Sequence, residues 1–491
     1  MDIKIQAVEG IKWSGLQQWG GKIISLLVVA ILAHYLEPEA FGLVAMALIY
    51  VEFVQVFIEQ GFGAAIVQRS TLEQEHLNTA FWLSLISGIF LTVISISISG
   101  WVANLFRQSQ LEPIIKWLSI SLLLGGMANI QYAILRRHLE FKKISICSLI
   151  ASIAGGVVGV TMAIMQYGVW SLVAQYLVSS LVRCLTLWRV STWRPKFQFS
   201  RKHLNDLFSF GLNIMGMSLL NFFNRHGGDL LIGYFLGPTL LGFYTIAYQL
   251  LTKVIDLLVS VGNAVAFPTY SRLQNDHKMI SLAFNKSIFY MSLISFPIFV
   301  IVGMIASELV PIVYGQQWEA SIPVLQVLVL IGILHSILYF HESVILAMGK
   351  SNWRLGMTLI NAVTNVAFFL IAVRWGIVAI AAAYVIRGLL TTPIEIWMVW
   401  KVGVITIKDY FSQFIVPVIG SIVVILVIAG LRFLLHDLIS EKYQIIIFVI
   451  SAIIAYVITA RLIMPSLRFQ IVTILRYFLP EKFWILNPKH E

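Results

Sequence analysis

The chain is a succession of apolar runs, each about 20 residues long, separated by short connections that contain charged residues, proline or glycine. A run of this length spans the hydrocarbon core of a bilayer as a helix, which satisfies its own backbone polar groups. Of the 491 residues, 59% are hydrophobic and 12% are charged, whereas roughly 25% are charged in a soluble domain. The sequence therefore predicts an all-α polytopic membrane protein and excludes a large soluble domain.

The length predicts about 14 transmembrane helices, because each span with its connection takes about 35 residues. The division between helices is weakest at Tyr167–Gly168 and at Arg374–Trp375, where the connections are so short that two helices resemble one. The predicted spans are 13–33, 41–67, 79–101, 114–135, 144–166, 169–190, 207–236, 241–267, 286–306, 322–348, 353–373, 376–400, 411–435 and 444–464.

Lysine and arginine residues are concentrated at the two termini and in alternate connections, including Lys350 and Arg354, whereas the opposite connections hold only Arg107, Arg374 and Lys442. The positive-inside rule therefore predicts that both termini face the cytoplasm. The first apolar run is too long for a cleavable signal peptide, so we expect it to remain as a span. The formal net charge of +11 then reflects membrane topology, and we expect no nucleic-acid partner.

Two stretches of the chain share a pattern at an offset of 200 residues. The pattern Leu-x-Pro-x-x-x-Gly occurs at 36–42 and again at 236–242, each time between two long apolar runs. Proline ends the incoming helix and glycine allows a close approach at the start of the next, so we assign these residues a structural role. The repeat predicts two parallel six-helix lobes, residues 1–200 and 201–402. Two extra helices and a basic cytoplasmic tail, residues 403–491, would follow.

A family resemblance rests on the stretch from Ile31 to Arg69, which reads ILAHYLEPEAFGLVAMALIYVEFVQVFIEQGFGAAIVQR. It resembles the signature region of bacterial polysaccharide flippases, in the Wzx and colanic-acid-exporter branch of the multidrug/oligosaccharidyl-lipid/polysaccharide superfamily. Shorter segments at 139–143, 314–318 and 322–326 resemble the same family. The resemblance implies two lobes around a central cavity, and movement of an undecaprenyl-diphosphate-linked glycan from the inner to the outer leaflet. It also implies a location in the bacterial cytoplasmic (inner) membrane, and it does not specify the sugar.

Several basic residues lie within predicted spans, where each costs about 2.5 to 3.5 kcal/mol at the bilayer centre unless it has a partner or a wet cavity. A diphosphate offers oxygen acceptors that suit arginine and lysine. Our hypothesis is that the diphosphate contacts are among Lys22, Arg183, Arg225, Lys253 and Arg387. The alternative is that acidic residues on neighbouring helices neutralise them. Spacing alone also allows pairs within one helix, Arg225 with Asp229 and Lys253 with Asp256.

A second group of intramembrane residues is suited to ion coupling or charge pairing. Its members are Glu52, Glu59, Asp229, Asp256, His335 and Glu342. Glu52 and Glu59 share one helix face, as do His335 and Glu342. No complete nucleotide-binding motif is present, so we expect coupling to protons or sodium ions. The alternative for the carboxyl groups is burial with hydrogen bonds, and for the histidine a place in the core.

The composition leaves three functions to compare. A lipid-linked glycan flippase agrees with the intramembrane cations, whereas a multidrug or organic-cation antiporter would favour an acidic, aromatic cavity. A membrane glycan polymerase would need a catalytic loop outside the membrane, and the longest outer connection, about 307–321, holds only Glu308 and Glu319. We therefore expect a non-enzyme without cofactor or metal cluster. Expected partners are the lipid-linked substrate, membrane lipids and possible glycan polymerase or export machinery. Tryptophans near predicted span ends, Trp318 among them, fit interfacial belts.

Overall fold

Proline and glycine divide the apolar chain into helices at the points where they interrupt backbone hydrogen bonding. The computed structural model describes residues 20–59, 61–69, 71–263, 266–435 and 440–464, and these ranges contain helices and no strand. The elements are α1 (Gly20–Tyr35), α2 (Pro38–Glu59), α3 (Phe62–Gln68), α4 (Gln74–Leu105), α5 (Leu111–Leu118), α6 (Ile120–Arg137), α7 (Phe141–Ile164), α8 (Val169–Val190), α9 (Arg201–Leu236), α10 (Pro238–Asn263), α11 (Ala266–Leu273), α12 (His277–Met304), α13 (Ala306–Tyr314), α14 (Ile322–Ala347), α15 (Ser351–Ala372), α16 (Ile377–Lys401), α17 (Ile407–Ser412), α18 (Ile415–Leu435) and α19 (Glu441–Ile463). Two short 3₁₀ helices lie at Gln316–Ser321 and Val373–Trp375.

Twelve of the described helical segments are long and apolar enough to cross a membrane. This confirms the all-helical, multi-pass class. The two uncertain divisions are confirmed as breaks, since α7 ends at Ile164 before α8 begins at Val169, and a 3₁₀ turn separates α15 from α16. The predicted run 41–67 is wrong as a single helix. It is split because Gly61 adopts a φ of 67°, a left-handed conformation that ends α2 and starts α3.

Two further helices complete the set of long elements. The described part of the first predicted span, α1, is a shorter apolar helix, and its predicted residues 13–19 lie outside the described ranges. Helix α9 has 36 residues and is long enough to cross a bilayer, although it is more polar than the twelve candidates. The basic tail beyond residue 464, predicted to be cytoplasmic, also lies outside the described ranges.

The two Pro-x-x-x-Gly turns pack against each other. A Cβ atom added at Gly42 would lie 1.7 Å from the carbonyl oxygen of Pro238, and one added at Gly242 would lie 2.0 Å from the carbonyl oxygen of Pro38. Such reciprocal contacts, in which each partner plays the other's role, are the signature of a two-fold relation. They bring the start of α2 against the start of α10, and the backbone approach is possible only because neither glycine has a side chain.

Trp318 closes the same end of the molecule and is completely buried, so its predicted place in an interfacial belt is wrong. Its indole Nε1 donates a hydrogen bond of 2.9 Å to the carbonyl oxygen of Ala33 at the end of α1. Its ring makes edge-to-face contacts with Phe41 of α2 and Phe243 of α10, at centroid distances of 5.1 and 6.0 Å. We call Pro38, Gly42, Pro238, Gly242 and Trp318 the seal.

The last two long helices pack on one side of this assembly. Helix α18 contacts both α12 and α19, and Phe448 of α19 is fully buried in their shared apolar core. Arg432 of α18 forms an ion pair of 2.8 Å with Glu308 of α13. This pair anchors α18 to the end of α12, which α13 follows directly in the chain. The arrangement agrees with an appended helix pair beyond the two predicted lobes.

Candidate transport cavity

A cavity of about 870 Å³ lies between α2 of the predicted first lobe and α9, α10, α14, α15 and α16 of the predicted second lobe. Helix α2 starts at the seal, and its cavity-lining residues, from Glu52 to Glu59, come from its other end. Helix α15 contributes Arg354 from its first turn. The cavity is therefore separated from the seal along the helix axes, and lies toward the side that the charge distribution predicts to be cytoplasmic.

Arg354 holds two carboxylates at this end of the cavity. Its Nη2 atom lies 2.9 Å from Oε2 of Glu342 on α14, and its Nη1 atom lies 3.7 Å from Oε1 of Glu395 on α16. Arg354 was predicted to lie in a connection between two helices, whereas the structure places it in α15, in the wall of the cavity. One guanidinium therefore links three helices of the predicted second lobe.

His226 connects the two predicted lobes at the cavity. Its Nε2 atom lies 2.9 Å from Oε2 of Glu52 on α2, and its Nδ1 atom lies 3.4 Å from Oδ2 of Asp229, one turn along α9. Asp229 therefore faces His226 and not Arg225, so the predicted pair between Arg225 and Asp229 is wrong. A protonated histidine between two carboxylates forms an ion pair with each of them. A neutral histidine forms neither ion pair.

A second link between the predicted lobes joins α1 to α10. Lys22 lies 3.1 Å from Asp256, and Lys253 donates a hydrogen bond of 2.9 Å to the hydroxyl of Ser25. The predicted pair of Lys253 with Asp256 within one helix is therefore wrong, because both side chains turn to α1 instead. Neither Lys22 nor Lys253 is among the residues that line the cavity.

Two arginines that line the cavity make no ion pair with a described residue. Arg225 is exposed to the cavity. Arg387 is buried, donates from Nη1 to Oδ1 of Asn361 at 2.8 Å, and lies 5.1 Å from the ring centroid of Tyr384. Its Nε atom has no hydrogen-bond partner among the described residues. A buried donor without a partner is uncommon in proteins and indicates a place for water or a ligand.

The remaining predicted residues divide between the cavity and its surroundings. Glu59 and His335 line the cavity, and the ring of His335 lies 5.7 Å from that of Tyr384. Arg183 lies on α8 outside the cavity, with its guanidinium 5.4 Å from the ring centroid of Tyr132. Of the eleven predicted site residues, the structure brings seven to the cavity: Glu52, Glu59, Arg225, Asp256, His335, Glu342 and Arg387.

The cavity has a mixed charge and is not simply positive. Among its lining residues are three arginines and five carboxylates, which are Arg225, Arg354, Arg387, Glu52, Glu59, Asp256, Glu342 and Glu395. Most of the carboxylates have a cation or a histidine beside them, and Lys22 supplies one of these from outside the cavity. Its two guanidinium groups without a carboxylate partner, those of Arg225 and Arg387, are the ones available to an anionic ligand.

Comparison with known proteins gives the class of the fold. The solved structure "Lipid II flippase MurJ, inward closed conformation" matches with a TM-score of 0.78 and 15% identity, over 92% of this chain and 99% of that chain. The all-helical arrangement therefore has the fold of that flippase structure, and the protein is a multi-pass protein of the cytoplasmic membrane.

The sequence comparison gives the family. The family model described as "Polysaccharide biosynthesis protein" matches residues 31–323. The succinoglycan biosynthesis transport protein ExoT of Rhizobium meliloti (strain 1021) is 30% identical over 65% of this chain and 65% of its own length. The lipopolysaccharide biosynthesis protein WzxC of Escherichia coli (strain K12) is 26% identical over 69% of each chain. The chain belongs to this polysaccharide biosynthesis family of membrane transport proteins, which confirms the resemblance seen in the sequence.

Proposed function

We propose that this protein is a flippase that moves an undecaprenyl-diphosphate-linked oligosaccharide or polysaccharide repeat unit from the inner to the outer leaflet. It acts by alternating access between two parallel six-helix lobes, residues 1–200 and 201–402, with both termini in the cytoplasm. Residues 403–491 add two helices and a tail. The family membership supports a transporter and not an enzyme, and the fold of the lipid II flippase MurJ supports the alternating-access plan.

The observation that carries the proposal is the pair of arginines without a carboxylate partner, Arg225 and Arg387, in a wide cavity between the predicted lobes. Guanidinium groups bind phosphate oxygens through two parallel hydrogen bonds, which a planar fork provides and an ammonium group does not. The free Nε atom of Arg387 is one such donor. In this arrangement the diphosphate enters the cavity while the lipid tail stays in the hydrocarbon.

In this proposed cycle the structure represents an inward-facing step. The seal closes the outer end, whereas the cavity lies at the cytoplasmic ends of α2 and α15. Transport then requires the seal to open and the links at the cavity, Glu52 with His226 and Lys22 with Asp256, to break. Each of these links joins helices of different predicted lobes. The ion pairs therefore break and re-form when one lobe rocks against the other.

Ion coupling is part of the proposal. Glu52, Glu59 and Glu342 line the same cavity as the arginines that are proposed to bind the substrate. A proton or a sodium ion bound to one of these carboxylates competes with the arginines for it, and so affects how strongly the arginines bind the anionic substrate. Of these carboxylates, Glu59 makes no ion pair with a described residue, whereas Glu52 and Glu342 already have partners. Glu59 is therefore the first position at which to replace the carboxylate and measure whether export loses its dependence on the ion gradient.

The test of the main proposal is glycan export in cells that lack their own copy of the protein and carry Arg225→Gln, Arg387→Gln or both. One charge-assisted hydrogen bond contributes about 1.5 to 3 kcal/mol, so each single change is expected to lower export roughly tenfold, with lipid-linked intermediate accumulating inside. Arg374→Gln, an exposed change on the opposite connection, is the matched control. Normal export in the double variant at normal membrane abundance would overturn the proposal.

An organic-cation antiporter is the second candidate, because the lining has five carboxylates against three arginines, with Tyr248 and Tyr384 beside them. The same strains distinguish the two functions. An antiporter predicts that Arg225→Gln and Arg387→Gln leave glycan export unchanged, and that Glu59→Gln increases sensitivity to lipophilic cations. The flippase predicts the reverse for the arginine changes.

A further inference from the structure

A cluster of histidine and glutamate residues lies outside the cavity lining, where α4 and α9 begin. Glu73 precedes α4, and His76 and His203 are the third residues of α4 and α9. One ligand atom from each of these three residues lies within 4.8 Å of the other two. Both imidazoles are buried, at 4% and 7% exposure, whereas Glu73 is open to solvent. The cluster therefore combines ordered ligands with an entry path.

The contacts of His203 orient it for metal binding. Its Nδ1 atom lies 2.7 Å from the hydroxyl oxygen of Ser200 and 3.3 Å from Oε2 of Glu75. A histidine that donates its Nδ1 proton to a carboxylate or hydroxyl presents the lone pair of Nε2, as metal-bound histidines do. This Nε2 atom lies 3.1 Å from Oε2 of Glu73. Two lone-pair donors at that distance need a proton or a cation between them.

The second imidazole approaches the same point. The ring centroids of His76 and His203 are 4.1 Å apart, with the planes at 75°. The Nδ1 atom of His76 accepts a long hydrogen bond of 3.3 Å from the backbone amide of Glu73, and an ion bound at this nitrogen would replace that hydrogen bond. Two imidazole nitrogens and one carboxylate oxygen form a ligand set that zinc accepts, with a fourth position for water.

A divalent cation at this place also needs negatively charged neighbours, which the histidines do not provide. The start of a helix carries a partial positive charge, so two helix starts facing one another disfavour a cation. Glu73 and Glu75 supply two negative charges at this place, which balance a divalent ion. Glu73 would act as a ligand, whereas Glu75 would orient His203 through Nδ1.

The segment that carries His203 is fixed along α4 before any metal binds. Trp82 donates from Nε1 to the carbonyl oxygen of Lys196 at 2.8 Å, and Asn78 bonds both to the amide of Lys196 and to the side chain of Gln198, each at 3.0 Å. The amide of Ser200 donates to the hydroxyl of Thr79 at 3.1 Å. The connection between the two predicted lobes is therefore held to the first of them, and His203 meets Glu73 in a pre-organised position.

We propose that Glu73, His76 and His203 form a binding site for a divalent transition-metal ion of the zinc type, which fastens the start of α9 to the start of α4. The ion joins the connection between the predicted lobes to the first lobe, so that any bending of α9 during transport occurs beyond His203. The proposal does not depend on the identity of the transported substrate, because its test measures metal and not transport.

The experiment uses the full chain purified in detergent without a polyhistidine tag, stripped with a chelator and then titrated with zinc. We expect about one zinc per chain at this site and a rise in the thermal unfolding midpoint, since an ion that binds only the folded state stabilises it. His203→Ala and His76→Ala are expected to lose this zinc. Glu75→Gln is expected to weaken its binding 10- to 100-fold, the usual effect of removing a residue that orients a metal ligand.

His138→Ala is the matched control, because His138 is an exposed histidine that lies outside the cluster. Cobalt titration provides a second reading, since its visible absorption reports tetrahedral coordination. A thermal unfolding midpoint equal to that of the metal-free wild type identifies a variant that folds but no longer binds. Equal zinc binding in wild type and His203→Ala would overturn the proposal. So would a wild-type chain that binds no zinc, in which case a proton occupies the space between His203 and Glu73.

Discussion

The seal and the cavity occupy opposite ends of the same helices, and they are built from different chemistry. The seal consists of backbone contacts across two glycines, with the buried ring of Trp318 beside them. The cavity consists of charged side chains that hold one another across helices, as Arg354 does with Glu342. Helix α2 takes part in both, because it begins at Pro38 in the seal and reaches the cavity at Glu52 and Glu59.

This difference indicates how the two ends respond to motion. A backbone contact at van der Waals distance is either made or lost, and it has no intermediate arrangement. Long charged side chains exchange partners while the helices move, because each keeps a counter-charge within reach. A rigid contact at the outer end and exchangeable pairs at the inner end suit a molecule whose lobes rock about the seal.

The largest effect is expected from Gly42→Ala, because an added Cβ would lie 1.7 Å from the backbone of Pro238 and cannot be relieved by a side-chain rotation. Overpacking of this kind costs about 1 to 3 kcal/mol, and about 1.4 kcal/mol shifts an equilibrium tenfold. Because the contact is with backbone, we expect a cost in the upper part of this range, and therefore at least a tenfold loss of export, with the outer end open. Labelling of Asn221→Cys, in a background without Cys147 and Cys184, by a thiol reagent added outside the cell measures that opening.

Gly356→Ala is the matched control, because Gly356 lies in α15 and an added Cβ there meets no atom within 4 Å. Gly242→Ala should reproduce the effect of Gly42→Ala, since the two contacts are reciprocal. Normal export by both seal variants, without outside labelling, would show that the outer contact is not a gate.

The sequence was sufficient to locate the four proline and glycine residues of the seal, although not Trp318, and the reason is physical. A Pro-x-x-x-Gly turn is determined by local chemistry, because proline lacks an amide donor and glycine lacks a side chain. The turn can therefore be predicted from the sequence at both of its occurrences. The apolar run length likewise predicts the helices, including the divisions near Gly168 and Trp375 that had the shortest connections. One exception was 41–67, where a single left-handed residue, Gly61, interrupts an otherwise continuous apolar run. Another was 114–135, which a turn at Ser119 divides into α5 and α6.

The cavity was only partly predictable, because its pairs form between helices that are distant in the sequence. Asp256 pairs with Lys22 across more than 200 positions, whereas spacing suggested Lys253. Arg354 was missed because it lies at a helix start among residues that orient the chain. His226 had a detectable signal, since it lies between Arg225 and Asp229 on one polar turn of α9, but spacing favoured the arginine as the partner of Asp229.

A middle-sized effect is expected from Arg354→Gln, which leaves Glu342 and the buried Glu395 without their shared cation. Breaking a buried ion pair costs about 3 to 5 kcal/mol, and we expect about half of that because Arg354 is 28% exposed. The double change Arg354→Gln with Glu395→Gln should recover most of the thermal stability of the purified protein. Arg374→Gln serves as the surface control. An equally unstable double variant would show that Arg354 acts through packing and not through charge.

The smallest effect is expected at the link between Glu52 and His226, which tests whether the pair breaks during transport. Glu52→Gln, His226→Gln and the double variant form a thermodynamic cycle, and contacting residues usually give an interaction energy of about 0.5 to 3 kcal/mol. We expect the lower part of this range for thermal stability, because the Glu52 side chain is 46% exposed to the cavity. The pair of Glu112 with Lys116, 2.6 Å apart within α5, gives a control that lies inside one lobe.

If the link between the lobes must break at every turnover, the single changes at Glu52 and His226 also alter the rate of export. The expected change is about twofold to fivefold, by the same free-energy conversion. The control pair changes stability alone. Additive effects at Glu52 and His226, on both stability and export, would remove this pair from the moving part of the cavity and leave Lys22 with Asp256 as the contact that must open.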